Sequence, residues 1–85
     1  MTFSEICNWL TARQAIPQER HYSEHGRTDE TTVTYANGDT YHQITTYIGY
    51  SDFDRCHTES YINGECVRSA DLRYENFGWK EIKTA

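Results

Sequence analysis

Cys7, Cys56, His57 and Cys66 are the side chains of this 85-residue chain best suited to hold a soft metal or to attack a carbon centre. A structural zinc site usually places two of its ligands a few residues apart, so that one turn presents both. Cys56 and His57 are adjacent, and adjacent residues on a strand point to opposite faces. Cys7 falls on an apolar helical stripe, where a free cysteine is ordinarily a small hydrophobe. Nucleophilic catalysis by Cys56 would need an imidazole, such as that of His42, beside it in an electropositive setting. Its surroundings are acidic, which raises a thiol pKa. Asp52, Asp54 and Glu59 could offer oxygens to a hard cation, but the further acids, central Gly and closing Glu of an EF-hand loop are missing. The plainer reading is a solvated turn in which Asp caps backbone amides. Asp71 with Glu81-Ile82-Lys83 repeats the acid, then Glu-x-Lys, order in which carboxylates hold a metal and a lysine polarises water. These are three common residue types, and nuclease chemistry also wants a basic face for its substrate. His21 and His25 have a metal-like spacing only if their segment is helical, and Gly26 with no apolar stripe argues for a loop.

The remaining chemistry is that of contact. Tyr41 and Tyr47, with Tyr22 and Trp79, bring large area on few rotatable bonds and carry a polar tip, which suits interface anchors. Asp39, Asp52, Asp54, Glu59, Glu65, Asp71 and Glu75 would surround them with negative charge, which suits a basic partner. Cross-strand stabilisation of a sheet explains the tyrosines equally well.

These residues must be positioned by short elements. Thr2-Phe3-Ser4-Glu5 has capping-box spacing. Phe3, Ile6, Cys7 and Leu10 follow on one helical face, with Trp9 beside them. Pro17 ends the pattern, so the spacing predicts a helix over 3–15. Residues 18–30 are polar throughout and read either as an edge strand over 20–24, anchored by Tyr22, or as a loop. Tyr35-Ala36-Asn37-Gly38-Asp39 and Tyr61-Ile62-Asn63-Gly64-Glu65 each set Asn-Gly between runs rich in Tyr, Thr, Val and Ile. Both residues tolerate positive φ, so each pair predicts a two-residue hairpin turn.

Pairing across Asn37-Gly38 then puts Thr31, Val33, Tyr35, His42, Ile44, Thr46, Ile48 and Tyr50 on one face. Val33, Ile44 and Ile48 select that face for the helix. Thr32, Thr34, Tyr41, Gln43, Thr45 and Tyr47 are left on the open one. Residues 49–54 connect to a second hairpin, 57–62 with 65–74, whose inner face would be Tyr61, Cys66, Ala70, Leu72 and Tyr74. Its register sets Cys66 opposite Tyr61 and Cys56 opposite Asp71, too far apart for a disulfide. It also sets Glu59 against Arg68 on the inner face, which is awkward unless a bulge shifts the pairing. Asn76-Phe77-Gly78-Trp79 reads as a turn and 80–83 as a short last strand. The expected fold is one α+β domain over 1–85, an N-terminal helix on one face of a four- to five-stranded antiparallel sheet.

Composition narrows the function further. A chain this short has a thin core, so seven Tyr, three Phe and two Trp must supply much of its buried area, and dimerisation is open to it. The formal charge of −5 disfavours direct contact with nucleic acid and favours basic protein surfaces, though it also serves plain solubility. Three cysteines are too few and too odd in number for a secreted disulfide framework. With no long apolar run, they point to a cytoplasmic protein with free thiols and no membrane partner. In size and acidity the chain is similar to small phage-encoded anti-defence inhibitors, including the anti-CRISPR class. That resemblance implies an inhibitor, acting in a host cytoplasm, that occludes the groove of a nucleic-acid-binding effector. The expectation is thus a non-enzymatic binding protein without metal or cofactor, contacting its partner through Tyr41, Tyr47, Asp39, Asp52, Asp54, Glu59 and Glu65. A small metal-dependent hydrolase or nuclease and a homodimeric accessory subunit are its rivals.

Overall fold

A computed structural model describes residues 1–48 and 54–84, with the backbone alone at 83 and 84. The fold is α+β. Helix α1 (Phe3–Thr11) is followed by strands β1 (Gln18–His25), β2 (Thr28–Tyr35), β3 (Thr40–Ile48), β4 (Arg55–Ile62), β5 (Glu65–Glu75) and β6 (Gly78–Thr84). The six strands form one antiparallel meander in sequence order. The polar segment after Pro17 is thus a full edge strand, and the sheet is one strand larger than the four or five expected. Among the described residues, no helix is long and apolar enough to cross a membrane.

Helix α1 starts where its sequence dictates. The Thr2 hydroxyl accepts from the Glu5 amide at 3.1 Å, and Glu5 accepts from the Thr2 amide at 2.8 Å. Those bonds satisfy orphan donors of the first turn and hold the Glu5 carboxyl below its usual pKa. The helix stops at Thr11, earlier than the expected 15. Residues 12–16 close in short turns, with the Arg13 amide bonded to the Leu10 carbonyl and the Ile16 amide to the Arg13 carbonyl. Ile6 is buried against Val33, Tyr35 and Tyr41, with Trp9, Leu10, Ile16, Ile62 and Val67 packed around them.

The two Asn-Gly pairs make different turns, and that difference decides which face the helix covers. At Asn63-Gly64 both residues have positive φ, 52° and 82°, as a two-residue type I′ turn requires. In the first hairpin only Gly38 does, at 96°, and the Tyr35 amide bonds to the Asp39 carbonyl across three loop residues. The extra loop residue shifts the register by one, pairing Val33 with Tyr41 and not with His42. A one-residue slip moves every side chain of a strand to the other face. The expected faces are therefore exchanged in β3. Tyr41, Gln43, Thr45 and Tyr47 lie on the helix side with Val33, whereas His42, Ile44, Thr46 and Ile48 lie on the outer side.

The second hairpin carries the bulge that a Glu59–Arg68 pairing on the inner face would require. Tyr61 pairs with Cys66, but Ser60 pairs with Arg68, so Val67 is the extra residue. Beyond the bulge Cys56 faces Leu72, not Asp71, and His57 faces Asp71. Tyr61 and Cys66 accordingly sit on the outer side, while Ala70, Leu72 and Tyr74 remain on the helix side as expected. Arg68 leaves Glu59 and pairs instead with Glu81 of β6 at 2.7 Å. All three cysteines are free.

Candidate functional site

The outer face holds the densest set of ionisable groups. Strand parity and register put all four histidines there, His21 and His25 from β1, His42 from β3 and His57 from β4. Glu19, Glu30, Glu59 and Asp71 share that face. His57 Nδ1 lies 2.8 Å from Asp71 Oδ1, and its Nε2 lies 3.5 Å from Glu59 Oε2 and 3.4 Å from Ser69 Oγ. The Tyr61 hydroxyl donates to Glu59 at 3.1 Å, and its ring stacks at 5.7 Å on His42. His42 Nε2 stands 3.2 Å from Glu30 without forming a hydrogen bond, and His21 stands 3.8 Å from Glu19. The bond to Asp71 raises the His57 pKa, opposed by burial and supported further by Glu59.

Ser69, His57 and Asp71 stand in the order of a serine–histidine–carboxylate relay, yet the electrostatics oppose that chemistry. Two carboxylates favour the imidazolium, which cannot accept the Ser69 proton. Glu59 competes for the same ring nitrogen. The strand amides run in the plane of the sheet toward neighbouring strands, so they do not converge on a substrate oxygen above it.

A second feature lies on the helix side, where α1 covers only part of the sheet. Between its N-terminus and β6 is a groove of about 710 Å³. Its floor is a chain of neutral polar groups. The Tyr41 hydroxyl donates to Gln43 at 2.8 Å, the Gln43 amide donates to Thr45 at 3.3 Å, and Thr45 and Thr58 share a 3.2 Å bond. Ser60 lies 3.4 Å from the Tyr41 hydroxyl. The walls are Phe3 of α1, Leu72 of β5, and Tyr47 and Trp79, whose rings are 6.2 Å apart. Burial raises the pKa of Tyr41, and that of Tyr47, where Asp29 adds to it.

Of the expected contact residues, Tyr41 is 5 % exposed and belongs to the core, and Tyr47 is half-buried in the groove. Their burial follows from the register shift. Asp39 is bound by Arg13 at 2.9 Å, by Asn37 at 3.1 Å and by Asn63 at 3.3 Å, so it ties the end of α1 to both Asn-Gly loops. The Arg13 guanidinium, with Asn63 and Asn37, holds its carboxyl below the usual carboxylate range. Glu59 is on the outer face, Glu65 is exposed beside its turn, and Asp54 lies 3.8 Å from Arg55. Asp52 lies outside the described residues.

The candidate metal and nucleophile sets are dispersed. Cys56 is buried on the helix side, while His42, His57 and Cys66 are on the outer side. Asp71 is on the outer face, and Glu81 lines the groove on the other. No group of three or more metal-ligating side chains comes together among the described residues. Sequence reasoning missed the histidine face because it set the helix against it. The parity of His21, His25, His42 and His57 along their strands was the available signal. Comparison with protein-family models, curated proteins and solved structures finds no match.

Proposed function

We propose that this chain is a non-enzymatic binding protein that covers a basic surface of a partner protein with the outer face of its sheet. One observation carries the reading. Glu19, Glu30, Glu59 and Asp71 share that face, and among the described side chains their ion-pair partners are histidines. Even with His57 protonated, its single charge does not balance both Glu59 and Asp71, and the negative charge that remains attracts a cationic surface. Arg55, Arg73 and Lys80 form a basic row at the far corner of the same side, which gives the docked partner an orientation. An inhibitor of a nucleic-acid-binding effector, of the phage-encoded anti-defence kind, would use such a face in place of phosphates. Metal-dependent hydrolysis is the weaker reading, because Asp71 and Glu81 stand on opposite sides of the sheet.

The test is capture from the native cell with tagged wild-type chain and with the variant E19Q/E30Q/E59Q/D71N. A basic protein retained by the first and lost by the second supports the reading. Retention by both, or turnover of a substrate by the purified chain that Asp71→Asn alone abolishes, overturns it.

A further inference from the structure

The groove on the helix side is independent of the outer face, and its chemistry is selective in its own right. We infer that it binds a neutral, hydroxyl-bearing ring ligand, a mono- or disaccharide. The volume of about 710 Å³ is within the range that small ligands occupy. The polarity of the floor excludes a purely apolar guest. Thr45, Thr58 and Ser60 are only 8 %, 4 % and 3 % exposed, yet they line the floor with hydroxyls whose bonding capacity beyond their bonds to one another an apolar guest would leave unused.

The charge pattern favours a neutral guest over an ionic one. Arg68 is the cationic side chain lining the groove, and its guanidinium is already held by Glu81 at 2.7 Å and lies 5.6 Å from the Phe3 ring. The Met1 ammonium at the rim donates to the Val67 carbonyl at 2.6 Å. The charged side chains that line the groove, Arg68 and Glu81, thus pair with each other, and the floor between them carries no charge. Apart from the Gln43 amide, the floor is built of hydroxyls, which donate and accept interchangeably. Hydroxyl donors and acceptors match the hydroxyls of a sugar, whereas a nucleobase edge has a fixed pattern that a rotating hydroxyl does not read.

The walls complete the match. Trp79 meets Tyr47 at 52°, so these two rings form an angled corner and not a parallel slot for a flat base. Such a corner accepts the C–H face of a puckered ring while the floor takes its hydroxyls. Trp79 is 43 % exposed and Phe3 64 %, so both have surface to lose when a ligand enters.

The test is amide and indole chemical-shift mapping of the whole chain. The probes are glucose, galactose, N-acetylglucosamine and their common disaccharides, with adenosine and decanoate at the same concentrations. The expected result is saturable shifts at residues 45, 58, 60 and 79 with at least one saccharide. Trp79→Ala and Thr58→Val should each weaken that binding about tenfold, the size of one lost hydrogen bond or contact. Glu59→Gln, on the outer face, should leave it unchanged. Trp79 sits on an edge strand, so the Trp79→Ala arm stands even if Thr58→Val fails to fold. The inference is overturned if no saccharide shifts the groove, if adenosine or decanoate binds more tightly, or if Trp79→Ala leaves the affinity unchanged.

Discussion

At the scale of single residues, two carboxylates of similar sequence character do different work. Asp39 joins Arg13, Asn37 and Asn63, three groups from three parts of the chain. Its pKa is depressed, so the stability it supplies is present above the ordinary carboxylate range and is lost as pH falls through its lowered value. Asp39→Asn should lower the melting temperature by roughly a few degrees at neutral pH, with the gap to wild type closing as pH falls below the ordinary carboxylate range. Calorimetry across that range checks it. Asp71 acts through His57, whose pKa is raised above 6.5. The stabilisation is therefore complete below the ordinary histidine value and lost as pH rises through the raised one. Titration of the His57 ring protons should give a value above 6.5, and Asp71→Asn should bring it down. A titration unmoved by Asp71→Asn would mean that another group sets it.

At the scale of elements, the lesson is in the turns. Helix α1, the two Asn-Gly hairpins and the last strand were legible because capping spacing, Asn-Gly pairs and β-rich runs are local signals, whereas the polar β1 carries no such signal and read equally as a loop. The facing of the sheet was not, because Asn37-Gly38 and Asn63-Gly64 look alike and differ by one loop residue, a choice made by packing. Val33 must meet α1, and the partner that comes with it is Tyr41. The groove was illegible for the same reason, since its floor was read as the open face. A methyl group added at Gly38 or Gly64 would stand in open space, so the cost of a side chain there is backbone strain alone. Gly38→Ala and Gly64→Ala should each destabilise by about 1–2 kcal/mol in urea unfolding. A loss near zero at Gly38 would contradict its left-handed conformation. The row Arg55, Arg73, Lys80 sets like charges directly across from each other. Arg73→Glu should therefore raise stability by about 0.3–1 kcal/mol, in proportion to the repulsion it removes.

At the scale of the whole molecule, the sheet divides two surfaces of different chemistry, a groove with a neutral floor on the helix side and a charged face opposite it. The division follows from the fold: a single short helix shields only one side of a six-stranded meander, so the other side must be polar. The charged side has a built-in pH dependence. Protonating His57 puts a positive charge between Glu59 and Asp71, which cancels part of the field that a basic partner feels. Binding to a decalysine peptide, a minimal basic surface, should therefore weaken as pH falls through the raised His57 value. It should also weaken as salt rises, since the Debye length shortens to about 8 Å at physiological strength. His57→Gln removes the titrating charge and should flatten the His57 share of the pH profile while leaving the salt dependence in place. Isothermal titration at several pH values separates the two. Affinity that is flat in both pH and salt would place the contact surface elsewhere, because no uncompensated row of carboxylates can attract a polycation without showing both.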